Sequence, residues 1–265
     1  MTTRTSRWPA GVPCWVDLMA PDVHAAGRFY ADVLGWTVPE PDEQYGGYTV
    51  AHVDGAAAAG IGPEQPGART AWTLYFATDD VDATALAVTE AGGTILLPPG
   101  DVGPQGRMGL AVDPSGAVFG LWQAGSMIGA ARVNAPGGLC WEDLRSTDPD
   151  AARAFYAAVF GFRSEPLEMA GPDYALFMLP EESTPLGGMG GLMGAPDGTP
   201  SHWLVYFGVA DADAAAAAAR VGGGTVTAPP FDTQFGRMAG LADPFGAAFW
   251  VAQAPPDAPL PDRSG

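Results

Sequence analysis

The 265-residue chain contains no lysine; all 12 of its cations are arginine. That excludes Schiff-base lysine chemistry and a lysine-bearing phosphate loop. Thirty acids outnumber those cations, for a net charge of −18, which argues against binding nucleic acid by phosphate neutralisation. Histidine is almost as scarce, with His24, His52 and His202 the three present. A metal centre built on imidazoles would need nearly all of them. Cys14 and Cys140 are the two cysteines, too few for a disulfide framework. No apolar run approaches the ~18–20 residues of a membrane span, and residues 1–7 lack the apolar stretch of a signal peptide. The expectation is a cytoplasmic protein with reduced thiols and neither a membrane nor a nucleic-acid partner. A Gly-x-Ser-x-Gly elbow, a Cys–His pair and CxxC are also missing. The glycine runs 187–191 and 222–224 lack the strand–turn–helix setting of a phosphate loop.

What the chain does have is hydrophobic mass, 47% of its residues, and a repeat. Cys14-Trp15-Val16-Asp17-Leu18 returns as Cys140-Trp141-Glu142-Asp143-Leu144. Phe29-Tyr30 returns as Phe155-Tyr156, and Leu34-Gly35-Trp36 as Phe160-Gly161-Phe162. Trp72 to Phe76 matches Trp203 to Phe207, and both Gly-Arg-Met at 106–108 and Asp-Pro at 113–114 recur near residues 236 and 243. Concordant matches with small drifts in spacing mean a duplicated domain. The expected boundaries are an N-terminal extension 1–12, a first domain 13–123, a linker 124–138, a second domain 139–253 and a disordered tail 254–265.

Each half alternates strands and helices. A strand over 15–20 leads to a helix opened by Pro21-Asp22, with apolar Val23, Ala26, Tyr30 and Leu34 at three- and four-residue steps and Gly35 as its stop. Strands over 48–53 and 56–61 follow. A strand over 73–78, a helix over 80–91 and strands over 94–97, 107–112 and 117–123 complete the half, with Asp113-Pro114-Ser115-Gly116 as a hairpin turn. The unit is βαβββ, four times per chain, in an α+β fold.

That order, with the helix-end Phe-Tyr and Leu-Gly-Trp and the Asp-Pro-x-Gly turn, resembles the vicinal oxygen chelate superfamily of glyoxalases, bleomycin-resistance proteins and extradiol dioxygenases. The resemblance covers residues ~13–123 and ~139–253 and implies two tandem domains, each an open eight-stranded curled sheet around a cleft. It also implies a divalent metal in the cleft, held by His or Glu. Counted onto this chain, the ligand positions are Trp15 and Trp141, Thr73 and Leu204, and Gly120 and Trp250. None is a usual ligand, so no metal and no cofactor is expected. A weak site from His202 and Asp143 remains the alternative to a hydrogen-bonded, structural His202.

Period-two alternation puts Trp15, Asp17, Thr73, Tyr75, Gly120 and Trp122 on the first cleft face, and Trp141, Asp143, Leu204, Tyr206 and Trp250 on the second. Tyr48, Arg107 and Met108 are candidates to join the first; Tyr174, Met178, Met189, Met193, Arg237 and Met238 are candidates to join the second. Planar faces with thioethers and a few polar groups suit an aromatic or polycyclic ligand. The same residues also read as plain core. Asp17 and Asp143 each follow a Trp by two positions and face an apolar cleft, where a carboxylate is paired or protonated. The first reading of each is a structural lock between strands; the functional alternative is a ligand anchor or a general base assisted by Arg107 or Arg237. The cysteines, odd to the Trp positions, should turn into the core.

The functional expectation is a metal-free protein that binds a small organic molecule, a planar, apolar natural product or antibiotic. The alternatives are a metal-independent accessory enzyme of secondary metabolism (isomerase, cyclase or hydroxylase-like), with Asp17 or Asp143 as base, and an interaction or scaffold protein with filled clefts. The expected assembly is a monomer with an internal pseudo-dimer, or a homodimer.

Overall fold

A computed structural model describes residues 3–64 and 70–255; residues 256–265 of the expected disordered tail lie outside the described residues. The first half runs β1 (Pro13–Ala20), α1 (Val23–Leu34), β2 (Thr49–Val53), β3 (Ala56–Pro63), β4 (Trp72–Ala77), α2 (Val81–Glu90), β5 (Thr94–Asp101), β6 (Gly106–Val112) and β7 (Val118–Ala124). The second runs β8 (Leu139–Arg145), α3 (Pro149–Phe160), β9 (Arg163–Pro166), β10 (Ala175–Met178), β11 (Gly187–Gly190), β12 (His202–Gly208), α4 (Ala212–Val221), β13 (Thr225–Thr233), β14 (Gly236–Ala242) and β15 (Ala248–Gln253). Four modules, the first βαββ and the other three βαβββ, thus form two curled, open sheets of mixed strand direction.

Local chemistry sets the helix ends. Asp22, Asp80, Asp148 and Asp211 each accept backbone N–H groups of the first turn of α1, α2, α3 and α4. Gly35 and Gly161 take the left-handed conformation that stops α1 and α3. The sheets differ by one strand: the first has the order β2-β3-β1-β4-β7-β6-β5, the second β13-β14-β15-β12-β8-β11-β10-β9. In place of a counterpart of β9, the described residues of the first half have two isolated bridges, Thr37 to His52 and Asp42 to Tyr48. Pro39 and Pro41 lie between Thr37 and Asp42, and each removes a ladder donor.

The helix-covered sides of the two sheets meet in one core. Phe76 of the first half touches Tyr156, Phe160, Phe162 and Trp203 of the second. In the mirrored position, Phe207 packs on Trp36, Trp72 and Phe249. Buried polar groups cross the same boundary. Trp72 Nε1 donates to Tyr30 Oη (3.1 Å), which donates to Asp243 across the boundary (3.2 Å). Trp203 Nε1 donates to Tyr156 Oη (2.8 Å), beside Asp113 of the other half.

The stretch 124–138, expected as a linker, is built into this architecture. Ala130 N–H bonds Cys14 O, Trp8 Nε1 bonds Ala130 O, and Trp36 Nε1 bonds Gly137 O at 2.7 Å. Tyr30→Phe removes the donor to Asp243 and the acceptor for Trp72, so it should cost about 1–2 kcal/mol. Urea unfolding should remain a single transition, because the halves share one core. Loss of the first half alone, at lower urea, would contradict that.

Candidate functional site

The other side of each sheet is concave and carries a polar cluster at its centre. In the first half, Asp17 on β1 is 5% exposed and accepts from Tyr75 Oη (3.0 Å). Tyr48 lies beside it, its own hydroxyl accepting from Trp15 Nε1 (3.0 Å). The second carboxylate oxygen, Oδ1, is buried with no partner in hydrogen-bonding geometry. Burial raises the Asp17 carboxyl to about 7, against the opposing pull of the Tyr75 and Tyr48 hydroxyls.

Glycines make room for these rings. A Cβ on Gly60 would lie 1.7 Å from Tyr48 Oη, and one on Gly120 would lie 2.0 Å from the Tyr75 ring. The tyrosines therefore lie across bare backbone. The segment after β7 packs at the Trp122 end of this face. Gly125 and Met127 N–H groups bond Gln105 O, and Trp122 Nε1 donates to Met127 O (3.0 Å). Gln105 also reaches Tyr45 on the far side of the sheet (3.4 Å).

The second half repeats the plan with one added charge. Asp143 on β8, 3% exposed, accepts from Tyr174 Oη (2.7 Å) and Trp141 Nε1 (3.0 Å) on Oδ1. Its Oδ2 accepts from Tyr206 Oη (2.8 Å) and from the Arg145 guanidinium (2.6 Å). Every oxygen is used. Burial works against the charge on Arg145, but Asp143 beside it holds the guanidinium above its ordinary value. Burial first, then Asp143, pushes Tyr174 and Tyr206 upward, so both stay protonated donors. Gly188 again leaves room for the tyrosine, 1.8 Å from a built Cβ to Tyr174 Oη.

Above this cluster the aromatics are open. Trp141 and Trp250 are half-buried; the Tyr206 and Trp250 rings lie 5.7 Å apart at 31°, and Phe231 meets Trp250 edge-on at 5.9 Å. Phe231, Phe235, Met169 and Met193 are exposed. The mouth is held by Gln234 Nε2 donating to Met169 Sδ (2.8 Å), a weak bond, since a thioether is a poor acceptor. A cavity of about 20 Å³, lined by Trp8, Thr78 and Trp122 among others, holds at most a water.

The model of the glyoxalase/bleomycin resistance protein/dioxygenase superfamily matches twice, over residues 14–121 and 138–251. The chain belongs to that superfamily. CFP32 of Mycobacterium tuberculosis, whose name assigns it provisionally to the glyoxylases, is 42% identical over 262 residues, covering 96% of this chain and 98% of CFP32. The anthracycline biosynthesis protein DnrV of Streptomyces peucetius is 37% identical over 264 residues, 94% and 95% of the two chains. Two solved structures share the fold at low identity. They are the Mn(II)-bound glyoxalase of Novosphingobium aromaticivorans (TM-score 0.66, 18% identity, 95% of this chain and 83% of that one) and the 2,3-dioxygenase LapB of Pseudomonas sp. KL28 (0.63, 16%, 94% and 96%).

The residues at the superfamily's metal positions do not fit a divalent ion. Trp15 and Trp141 present indole N–H donors that point to Tyr48 and Asp143. Gly120 has no side chain, and the Tyr75 ring fills its space; Trp250 offers a ring face. Among the described residues, no three His, Cys, Asp or Glu side chains gather as ligands. His202 stands on β12 opposite Arg145, but its Nδ1 contacts the carbonyl of Pro200 (2.9 Å).

Several expected site residues lie elsewhere. Alternation lets only one of each neighbouring Arg-Met pair face a cleft, and in both halves it is the Met. Met108 stands opposite Trp122, and Met238 packs near Trp141 and Trp250. Arg107 instead reaches Asp82 of α2, and Arg237 reaches Asp213 of α4, both on the helix side. Neither arginine can assist Asp17 or Asp143. Met189 stands opposite Leu144 and belongs to the shared core. Met178 is buried beside Arg163, which donates to its sulfur (3.1 Å). Thr73 stands opposite Asp17 on β4, half-buried.

Cys14 is in the shared core, as expected, whereas Cys140, at a bulge in β8, packs with Leu204 and Tyr206. Neither cysteine is in a disulfide, and the Cys140 thiol donates to the Tyr206 carbonyl (3.3 Å). Arg145 escaped notice although the count from Trp141 through Asp143 reaches it one step later on the same face. Its counterpart in the first half is Met19.

Proposed function

We propose that the chain is a metal-free small-molecule-binding protein whose second-half cup receives a planar, partly apolar natural product. The observation that carries this reading is the contrast between the two concave faces. In the first, Trp15, Tyr75 and Trp122 are all buried. The second presents Trp141 and Trp250 half-exposed above the Asp143–Arg145 ion pair, with Phe231 and Met193 also exposed. Exposed aromatics and thioethers in a cup favour flat ring systems. The 37% identity to an anthracycline biosynthesis protein supports a polycyclic aromatic ligand. Among the described residues no helix is long and apolar enough to cross a membrane.

A second reading rests on Asp17. A buried carboxyl near 7 with an unused oxygen is poised for proton transfer, which favours a metal-independent enzyme using the first half. Asp143 has both oxygens engaged by four donors and offers no free one.

A thermal-shift and tryptophan-fluorescence screen of polycyclic aromatic compounds tests the binding reading. A hit should raise the melting temperature and quench fluorescence. Trp141→Ala or Trp250→Ala should weaken it roughly tenfold, the worth of one lost stacking surface, and Trp15→Ala should leave it unchanged. Turnover abolished by Asp17→Asn at unchanged affinity would favour the enzyme instead. A stoichiometric metal in the purified protein, needed for binding, would overturn the metal-free reading.

A further inference from the structure

In the second cup the Arg145 guanidinium is incompletely paired among the described residues. Arg145 spends its NH2 on Asp143, with Tyr206 Oη at 3.5 Å. Its NH1 meets only the sulfur of Met193 among the described residues. A thioether is a weak acceptor for a charged donor, and Met193 is itself 58% exposed at the mouth. Met193 also takes a left-handed backbone conformation (φ 49°), unusual for a side chain of its size. Its sulfur thus sits where a better acceptor entering from solvent would displace it. The Arg145 side chain is 14% exposed, so NH1 lies at the floor of the cup rather than deep beneath it.

We infer that Arg145 NH1 is the recognition point for a neutral carbonyl oxygen on the edge of a planar ring system, which takes the place of the Met193 sulfur. This rests on the binding reading above and names the chemical class of its ligand. Neutrality follows from charge. The Asp143 carboxylate already balances Arg145, and the chain carries −18 overall, so a carboxylate ligand would meet repulsion both near and far. A carbonyl accepts the free N–H without disturbing the ion pair. Its ring then lies toward Trp141 and Trp250, and Tyr174, 5.8 Å beneath the guanidinium, keeps that group in place.

The test uses fluorene and 9-fluorenone, flat tricycles that differ by one carbonyl oxygen, with fluorene-2-carboxylate as the anionic probe. Equilibrium dialysis against the full-length protein should show 9-fluorenone binding about tenfold tighter than fluorene, as one bond to a charged donor provides, and the carboxylate weakest. The carbonyl stretch of bound 9-fluorenone should shift to lower wavenumber. Arg145→Met, which gives the second half the residue that the first half has as Met19, should erase both the preference and the shift while fluorene still binds. Met193→Ala should keep or enlarge the preference; because it leaves the ion pair intact, it decides the matter even where Arg145→Met does not fold. Equal binding of fluorene and 9-fluorenone, tightest binding of the carboxylate, or loss of the preference in Met193→Ala would overturn this inference alone. Failure of all three probes to bind would count against the cup itself.

Discussion

Asp17→Asn should stabilise the protein progressively as pH rises, by about 4 kcal/mol between pH 4 and pH 8. The carboxyl titrates near 7 in the folded state and near 3.8 in the unfolded chain. A raised folded value means that the native state holds its proton where the unfolded chain has lost it. Stability therefore falls as pH climbs from about 4 to 7, and the penalty is complete above 7. The difference of roughly three units, at 1.36 kcal/mol each, gives about 4 kcal/mol for this fully buried group. Asparagine keeps the shape and the acceptor for Tyr75 but cannot ionise, so it escapes the penalty. Urea unfolding of both proteins at pH 5, 6, 7 and 8 reads the effect as a widening gap. A gap that stays flat would mean that Asp17 is not held uncompensated in the first cleft.

The equivalent change in the second half should act in the opposite direction. Asp143→Asn at pH 8 leaves the Arg145 guanidinium largely buried without its counter-charge, and removing one partner of such a pair costs about 3–5 kcal/mol. Asn keeps the shape and one acceptor oxygen, enough for the Tyr174 side or the Tyr206 side but not both, so the loss combines the charge with one mismatched hydrogen bond and leaves no cavity. The double variant Asp143→Asn/Arg145→Met should recover most of it, since the two residues act as a unit. A loss below about 1 kcal/mol, or a double variant no better than the single, would show that the pair is solvent-screened like a surface bridge. Two positions matched by the repeat thus carry the same residue with opposite consequences. What differs is one side chain two residues on: Met19 leaves Asp17 uncompensated, and Arg145 pairs Asp143.

Much of this architecture is legible in the amino-acid order because local rules govern it. The duplication, the aspartates opening the helices, Gly35 and Gly161 closing two of them, and the alternation that puts Trp15 with Asp17 and Trp141 with Asp143 on one face all follow from short-range geometry. The same alternation, carried one residue pair further, contains Arg145. The eighth strand of the first sheet is another matter. Its sequence neighbours supply prolines, but whether a bridge at Thr37 survives depends on where β2 comes to lie.

What the order of residues left open was decided by parts of the chain far apart in sequence. Arg107 and Met108 are adjacent and compete for two faces; the packing of α2, which brings Asp82 to Arg107, determines which goes where. Met189 looked like a cleft residue because nothing local fixes the phase of β11. Its pairing with β8 fixes it, and a shift of one residue would exchange the faces. The shared core is equally non-local, for Phe76 and Phe207 become neighbours of the opposite half only once both sheets have formed. The values that matter most, a carboxyl near neutrality in one cleft and a compensated ion pair in the other, arise from burial. Burial is a property of the assembled fold, because the cost of a charge depends on how much water the surrounding chain removes.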